Sequence, residues 1–300
     1  MTTFTDMFSR KLSFSLAAAC ALALGTTSHA APLFGTDFDG YNNTGALSKQ
    51  GDWFTNDPYV ALSNVGQSDV VTEIPFYSAT VGDYWGLLGG LSPFKPGLFS
   101  VEVAHAFDTT GLLTDSLLTN TLRFDVDFAI TSSGTPRPNR DAFGWTFNDA
   151  AGDQLFRLAL EPNALATEGL RVKLYNSEDE ELLTPNSIAY DAIYSLQIDV
   201  SLADASRDAL TVRLMGSEDS FTTILDDVDL PNGAAAAVAQ IGAQWDILDL
   251  AADGNGDPSA YGANSILFND YKVAVVPEPG SALLLGLGTV LAASRRRRRG

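Results

Sequence analysis

One ten-residue stretch constrains the fold more than any other feature of the chain. From Thr121 to Ile130, Leu122, Phe124, Val126, Phe128 and Ile130 alternate with Arg123, Asp125 and Asp127. A period of two puts every apolar side chain on one face of an extended strand, whereas a helix would scatter them around its axis. The same pattern recurs. Leu196, Ile198, Val200 and Leu202 alternate with Gln197 and Asp199, and Leu210, Val212 and Leu214 with Thr211 and Arg213. Leu170, Val172 and Leu174 alternate with Arg171 and Lys173, and Phe143, Trp145 and Phe147 with Gly144 and Thr146. Such strands bury one face and wet the other, the habit of antiparallel sheets. Further strands are expected over 101–107, 155–160, 221–225, 245–250 and 265–275. Turn residues punctuate them, as in Ser133-Gly134-Thr135-Pro136, Glu161-Pro162-Asn163 and Pro231-Asn232-Gly233. About ten strands with this spacing predict an all-β fold, an antiparallel β-sandwich. The one helical stretch expected is short, Gly233 to Gln240.

The two ends of the chain do not fit that pattern. Arg10-Lys11 precedes an apolar run from Leu12 to Leu24, and Ser28-His29-Ala30 follows. A basic start, a short apolar core and a small-residue exit make a secretory signal peptide over 1–30, cut by signal peptidase between Ala30 and Ala31. At the other end, Pro277-Glu278-Pro279-Gly280 leads into an apolar stretch from Ser281 to Ala293, and Arg295 to Arg299 close it before Gly300. Thirteen helical residues cover about 20 Å, short of a bilayer core of about 30 Å. Arginines that stay cytoplasmic stop transfer and set the orientation. The prolines keep Glu278 in an extended segment that a protease could read. A plain tail anchor is the alternative for this segment.

The expected domain, residues 31–275, is strongly acidic. The whole chain has 300 residues and a net charge of −19, and five of its arginines lie in the tail. The middle therefore stands near −24, with 11 basic and 35 acidic residues. Such a surface repels nucleic acid and anionic lipid, and attracts cations. The only cysteine, Cys20, lies in the N-terminal apolar run, so the domain has no disulfide and no thiolate metal site. The whole chain is 45% hydrophobic and 18% charged, the balance of a globular protein, and the domain is held together by packing.

The C-terminal arrangement over 276–300 resembles the PEP-CTERM sorting signal of Gram-negative and related bacteria. The literal Pro277-Glu278-Pro279, the short Gly-containing span and the arginines, Arg295, Arg296 and Arg297 among them, carry the resemblance. It implies recognition by an exosortase, a membrane cysteine transpeptidase, after transient anchoring in the inner membrane. Loss of the tail and delivery to the cell surface or extracellular matrix would follow.

The mature region carries a second resemblance. Phe38-Asp39-Gly40-Tyr41, Gly45-Ala46-Leu47 and Gly51-Asp52-Trp53 open it, and Gly262-Ala263-Asn264-Ser265-Ile266-Leu267-Phe268-Asn269-Asp270-Tyr271 closes it. With the central strands, this is similar to the concanavalin A-like lectin/glucanase jelly roll. The resemblance implies that the first and last strands pair, and a bias toward carbohydrate.

A search for chemistry yields little. A glucanase of that fold needs Glu-x-Asp-x-x-Glu on one strand face. Asp125 and Asp127 have no Glu at the required spacing, and Glu178 to Glu181 are consecutive, so their side chains diverge. Both groups read as surface charge. His105 shares a strand face with Val101 and Val103, which suits a packed histidine better than a catalytic one. No catalytic residue is identified, and no phosphate-binding loop precedes a helix. Asp253, Asn255 and Asp257 space oxygen ligands as Ca²⁺ loops do. Pro258 stands where such a loop needs Gly and Asn264 where it needs Glu, so a structural turn is the alternative. Asp226, Asp227 and Asp229 are a weaker Ca²⁺ candidate. Trp53 and Trp85 are candidates for stacking on extracellular polysaccharide, while Trp145 and Trp245 fall on strands and suit the core. The expected function is a non-catalytic surface or matrix protein that binds polysaccharide. A matrix component without a small ligand and a divergent glycoside hydrolase are the alternatives.

Overall fold

The computed structural model describes residues 31–38, 47, 51–55, 68–71, 85–89, 100–108, 120–132, 141–162, 169–176, 181–202, 208–216, 220–230, 234–246 and 264–277. They form two antiparallel sheets packed face to face, the expected β-sandwich. One sheet contains β1 (Ala31–Thr36), β3 (Ser68–Val71), β4 (Trp85–Gly89), β6 (Asn120–Ile130), β11 (Ile193–Leu202), β12 (Asp208–Met215), β13 (Thr222–Leu230) and β15 (Ser265–Pro277). Its order is β13-β12-β11-β6-β15-β4-β3, with β1 beside the second half of β15. The other contains β2 (Trp53–Thr55), β5 (Ser100–Ala106), β7 (Ala142–Asn148), β8 (Gln154–Pro162), β9 (Leu170–Asn176), β10 (Glu181–Ile188) and β14 (Gln240–Asp246), in the order β10-β9-β8-β7-β14-β5-β2. The first and last of these strands pair, Ala31 opposite Val275 and Thr36 opposite Tyr271, as the jelly-roll resemblance implies.

The alternating residues fill the space between the sheets. Leu122, Phe124, Val126, Phe128 and Ile130 of β6 face Phe143, Trp145 and Phe147 of β7, and all are at most 2% exposed. Trp145 meets Phe124 and Phe268 edge-on, with centroids 5.2 and 5.4 Å apart. Phe147 stacks on Phe156 at 4.3 Å. These geometries suit the ring quadrupoles and add to the apolar burial. Tyr271 is fully buried, and its hydroxyl donates to the Ile241 carbonyl at 2.7 Å, so its one polar atom is satisfied.

β15 contains the device that lets a 13-residue strand serve this core throughout. Ile266 and Phe268 point inward at even positions, Tyr271, Val273 and Val275 at odd ones. The switch is a bulge between Asn269 and Lys272, where Asp270 takes φ 48°. One extra residue there resets the alternation, and Asp tolerates the left-handed backbone better than most residues.

Two sequence expectations need correction. The strand expected at 245–250 starts earlier, at Gln240, and is described to Asp246, with 247–250 outside the described residues; Ile241, Ala243 and Trp245 face inward, and small Gly242 and Ala243 hide the alternation. The helix expected over 233–240 shrinks to α1 (Ala234–Ala237), because Val238 is drawn into the core and Gln240 opens β14. β10 gave little strand signal. Its Pro185 lies where the register with β9 breaks, between Leu183 and Ser187, and it pairs on one side only, the tolerated place for a strand proline.

Candidate functional site

Each sheet has an outer face. On the seven-stranded sheet, alternation sends Ser100, Glu102 and Ala104 of β5 outward, with Gly242, Gln244 and Asp246 of β14. Ala142, Gly144, Thr146 and Asn148 follow from β7, then Arg157, Ala159 and Glu161 from β8. The register sets Glu102 opposite Gln244, Gln244 opposite Gly144, and Gly144 opposite Ala159. Outward positions of a strand normally reach water. Here Ala104, Ala142, Thr146, Asn148 and Ala159 are at most 3% exposed. The middle of this face is thus a floor of small residues shielded from water, with longer polar side chains around and over it.

Glu102 crosses that floor. Its Oε1 accepts from the Thr146 hydroxyl and from Asn148 Nδ2, the latter at 2.7 Å. The path exists because residue 242 is glycine: a Cβ there would sit 2.5 Å from Glu102 Oε1 and 2.8 Å from its Cγ. Burial raises the Glu102 carboxyl above its ordinary value, and the bonds from Thr146 and Asn148 oppose that rise. Beside it, Arg157 Nη1 donates to Asp246 Oδ2 at 2.8 Å, and Gln244 Nε2 donates to Ser100 Oγ at 2.8 Å and to Asp246 Oδ1 at 3.1 Å. Burial also raises Asp246, against the pull of Ser100 and Arg157. The Arg157 guanidinium lies 4.6 Å from the Tyr175 ring centroid, and the Tyr175 hydroxyl donates to Glu161 Oε1 at 2.7 Å. Lys173 pairs with the same carboxylate at 2.8 Å. Glu161 is held below its ordinary value: burial alone would raise it, but Lys173, Tyr175 and Arg157 together prevail.

The eight-stranded sheet presents a different face. Asp199 binds Arg123 through two bonds, 2.7 and 3.0 Å, and Arg213 through a third of 2.5 Å. Gln197 bridges Arg213 to Asp125, and Ser195 donates to Asp127. Asp125 and Asp127 are both raised by burial, against the bonds from Gln197 and Ser195. Toward β4 the face turns apolar, with Trp85 and Leu267 buried against Leu87 and Ile193.

The residues singled out in the sequence do not converge on one place. Trp53 is 3% exposed and packs inside the core against Phe38 and Tyr271. Trp85 is 6% exposed, beneath the apolar end of the other sheet's outer face. Neither indole face is open to a sugar in this arrangement. His105 is buried and stacks on Phe34 as a packed ring, and desolvation lowers its pKa. Asp226, Asp227 and Asp229 lie on the exposed edge strand β13. Asp253, Asn255 and Asp257 lie outside the described residues, as do Ala30, Glu278, Pro279, Arg295, Arg296 and Arg297. Among the described residues, no group of three or more His, Cys, Asp or Glu is placed to hold a metal. Ala31 and Pro277 are described: they open β1 and close β15.

Sequence reasoning passed over Glu102, Arg157, Gln244 and Asp246. A signal was available. Phe-Gly-Trp-Thr-Phe and Ile-Gly-Ala-Gln-Trp both place glycine at an outward position between inward apolar residues, which marks a strand approached closely from outside.

Comparison with solved structures returns sugar-active and sugar-binding sandwiches at very low identity. A Bauhinia forficata lectin in complex with GalNAc matches at 6% identity and TM-score 0.43, over 81% of this chain and 97% of that one. A GH131 β-glucanase catalytic domain from Podospora anserina matches at 10% and 0.45, over 81% and 95%. The lectin UEA-II, complexed with galactose, matches at 10% and 0.44, over 81% and 98%. No curated protein sequence matches the chain. A family model does, at one end: residues 275–299 match the PEP-CTERM protein-sorting motif. The chain therefore carries a PEP-CTERM sorting tail behind its β-sandwich, and is an exported protein processed at the cell envelope.

Proposed function

We propose that this exported protein binds extracellular polysaccharide, without cleaving it, on the outer face of the seven-stranded sheet, and acts at the cell surface or in the matrix. The observation that carries this reading is the set of fixed donors and acceptors around the small-residue floor: Ser100, Glu102, Arg157, Gln244 and Asp246. A pyranose offers several hydroxyls that both donate and accept. A face whose polar groups are locked by neighbours loses little entropy on binding them. The non-catalytic part rests on how the carboxylates are tied. Glu102 is occupied by Thr146 and Asn148, and Asp246 by Arg157 and Gln244, so neither stands as a free acid beside a free nucleophile.

A glycan array, run with and without chelator, tests the reading. Binding to at least one polysaccharide, weakened about tenfold or more by Arg157→Ala, is the expected result, given what a buried charged donor contributes. Absence of binding to every glycan would leave a matrix component without a small ligand. Release of reducing ends, lost in Glu102→Gln or Asp246→Asn, would establish a hydrolase instead.

A further inference from the structure

The last strand does not stop short of the sorting motif. The motif begins at residue 275, and β15 continues to Pro277. On β6, Val275 pairs with Leu122, Val276 with Thr121 and Pro277 with Asn120. On its other side, Val275 pairs with Ala31 and Ala274 with Pro32 of β1. Val275 is 4% exposed, part of the core. The first three motif residues are therefore strand residues, Val275 paired on both sides and Val276 and Pro277 paired with β6. From Pro277 the apolar run at Ser281 is four residues on, and four extended residues span at most about 14 Å. While that run lies in the bilayer, the end of the eight-stranded sheet is held at the membrane surface. β1 begins at the same end, because it runs antiparallel to β15.

We propose that the folded domain withholds its own sorting motif: the outermost pairs of β15 with β6 and β1 must open before the membrane enzyme that removes the tail reaches the Pro-Glu-Pro segment. A processing enzyme takes its substrate as an extended, unpaired peptide. Here the backbone on the N-terminal side of Glu278 is already committed to ladder partners, and the bulk of the domain stands within a few residues of the bond to be cut. Strand ends open at low cost, so the gate slows processing and does not forbid it. The partner surface is the sheet end itself, formed by Ala31, Asn120, Thr121 and Val276, which the short tether presses toward the membrane.

The inference rests on the tail being processed, and one experiment separates the two. The full-length chain is expressed with its exosortase, and tail loss is followed by pulse–chase. Wild type should lose its tail; if it does not, the sorting reading fails and the gate with it. A six-residue Gly-Ser spacer between Val276 and Pro277 keeps Pro277-Glu278-Pro279 contiguous and the ladder through Val276, and gives up only the pair of Pro277 with Asn120. It should speed tail loss about threefold or more, as expected when a modest opening step is removed. The pair Thr121→Cys with Val276→Cys does the opposite. Paired Cα atoms lie about 4.5–5.5 Å apart, within reach of a disulfide, and the exported compartment is oxidising. The cross-linked chain should keep its tail until reductant is added. Unchanged processing of the spacer variant, or wild-type processing of the cross-linked one, overturns the gate. Should the double variant fail to fold, the spacer decides alone.

Discussion

The two outer faces of the sandwich arise from the same alternation and differ in what stands between their polar side chains. On the eight-stranded sheet, long side chains neighbour long side chains, and Arg123, Asp199 and Arg213 link into a ladder that lies flat against the strands. On the seven-stranded sheet, glycine and alanine separate the polar residues, and the small positions are shielded from water. Polarity says which way a strand faces. The size of the neighbours says whether that face is a solvated cover or a shielded floor.

The largest effect should come from filling the floor. A Cβ at Gly144 would run into the Leu158 carbonyl, a backbone atom of the adjacent strand that cannot rotate away. Gly144→Ala should destabilise by about 3 kcal/mol, at the upper end of overpacking, and should abolish glycan binding in whatever still folds. The matched change on the other sheet is Gly35→Ala, where the new methyl meets the flexible Lys272 Cγ at 3.4 Å and the Tyr271 carbonyl at an ordinary 3.8 Å. It should shift the urea midpoint little. Equal losses at the two sites would dissolve the distinction between floor and cover.

Glu102 comes next. Because burial raises its pKa above the ordinary 4.5, the folded protein holds that proton more tightly than the unfolded chain does. Its contribution to stability is therefore full below pH 4.5 and is lost as pH rises through the folded value. Glu102→Gln should flatten that part of the stability-against-pH curve. It should also cost about 1 kcal/mol at acid pH, if the amide makes poorer bonds to Thr146 and Asn148. A curve that keeps its slope in the variant would assign the slope to another group. His105 works in the opposite sense: its lowered pKa makes stability fall as pH drops below 6.5.

On the eight-stranded face, Asp199→Asn should cost about 1 kcal/mol, a loss that shrinks in high salt, with glycan binding unchanged. Two arginines lose their shared carboxylate, but their side chains are 32 and 33% exposed, so water replaces much of what is lost. A loss of binding in this variant would move the site to the wrong sheet.

The sequence carried the fold wherever neighbouring strands shared long apolar side chains. β6, β11 and β12 follow the period of two residue by residue, and the Phe268-to-Tyr271 slip in β15 is itself visible as a three-residue gap. It failed where small residues carried the pattern, as in Ile241-Gly242-Ala243, and where a strand reads as loop chemistry, as around Pro185. The floor and its polar groups were harder still to see. Glu102, Asn148 and Asp246 lie far apart in the chain, and only the strand order β7-β14-β5 makes neighbours of them. Trp53 and Trp85 drew attention for their ring faces, and burial took those faces away. The sorting tail was legible because its three parts are contiguous; its union with β15 was not, since pairing with Asn120 and Thr121 leaves no mark near residue 277.

The smallest effect should belong to the pair that looks most like a salt bridge in isolation. Lys272 Nζ lies 3.0 Å from Asp270, and their side chains are 56 and 49% exposed. Asp270 is held by its bulge, whose backbone supplies the left-handed turn whether or not Lys272 is present. Lys272→Ala should therefore change stability by less than about 0.5 kcal/mol, as exposed pairs usually do. The informative comparison is Asp270→Gly, which removes the same ion pair and relaxes the positive φ at once. If the two changes shift the denaturation midpoint equally, the charge matters; if only the glycine variant moves it, the bulge was the element under strain and the ion pair a bystander.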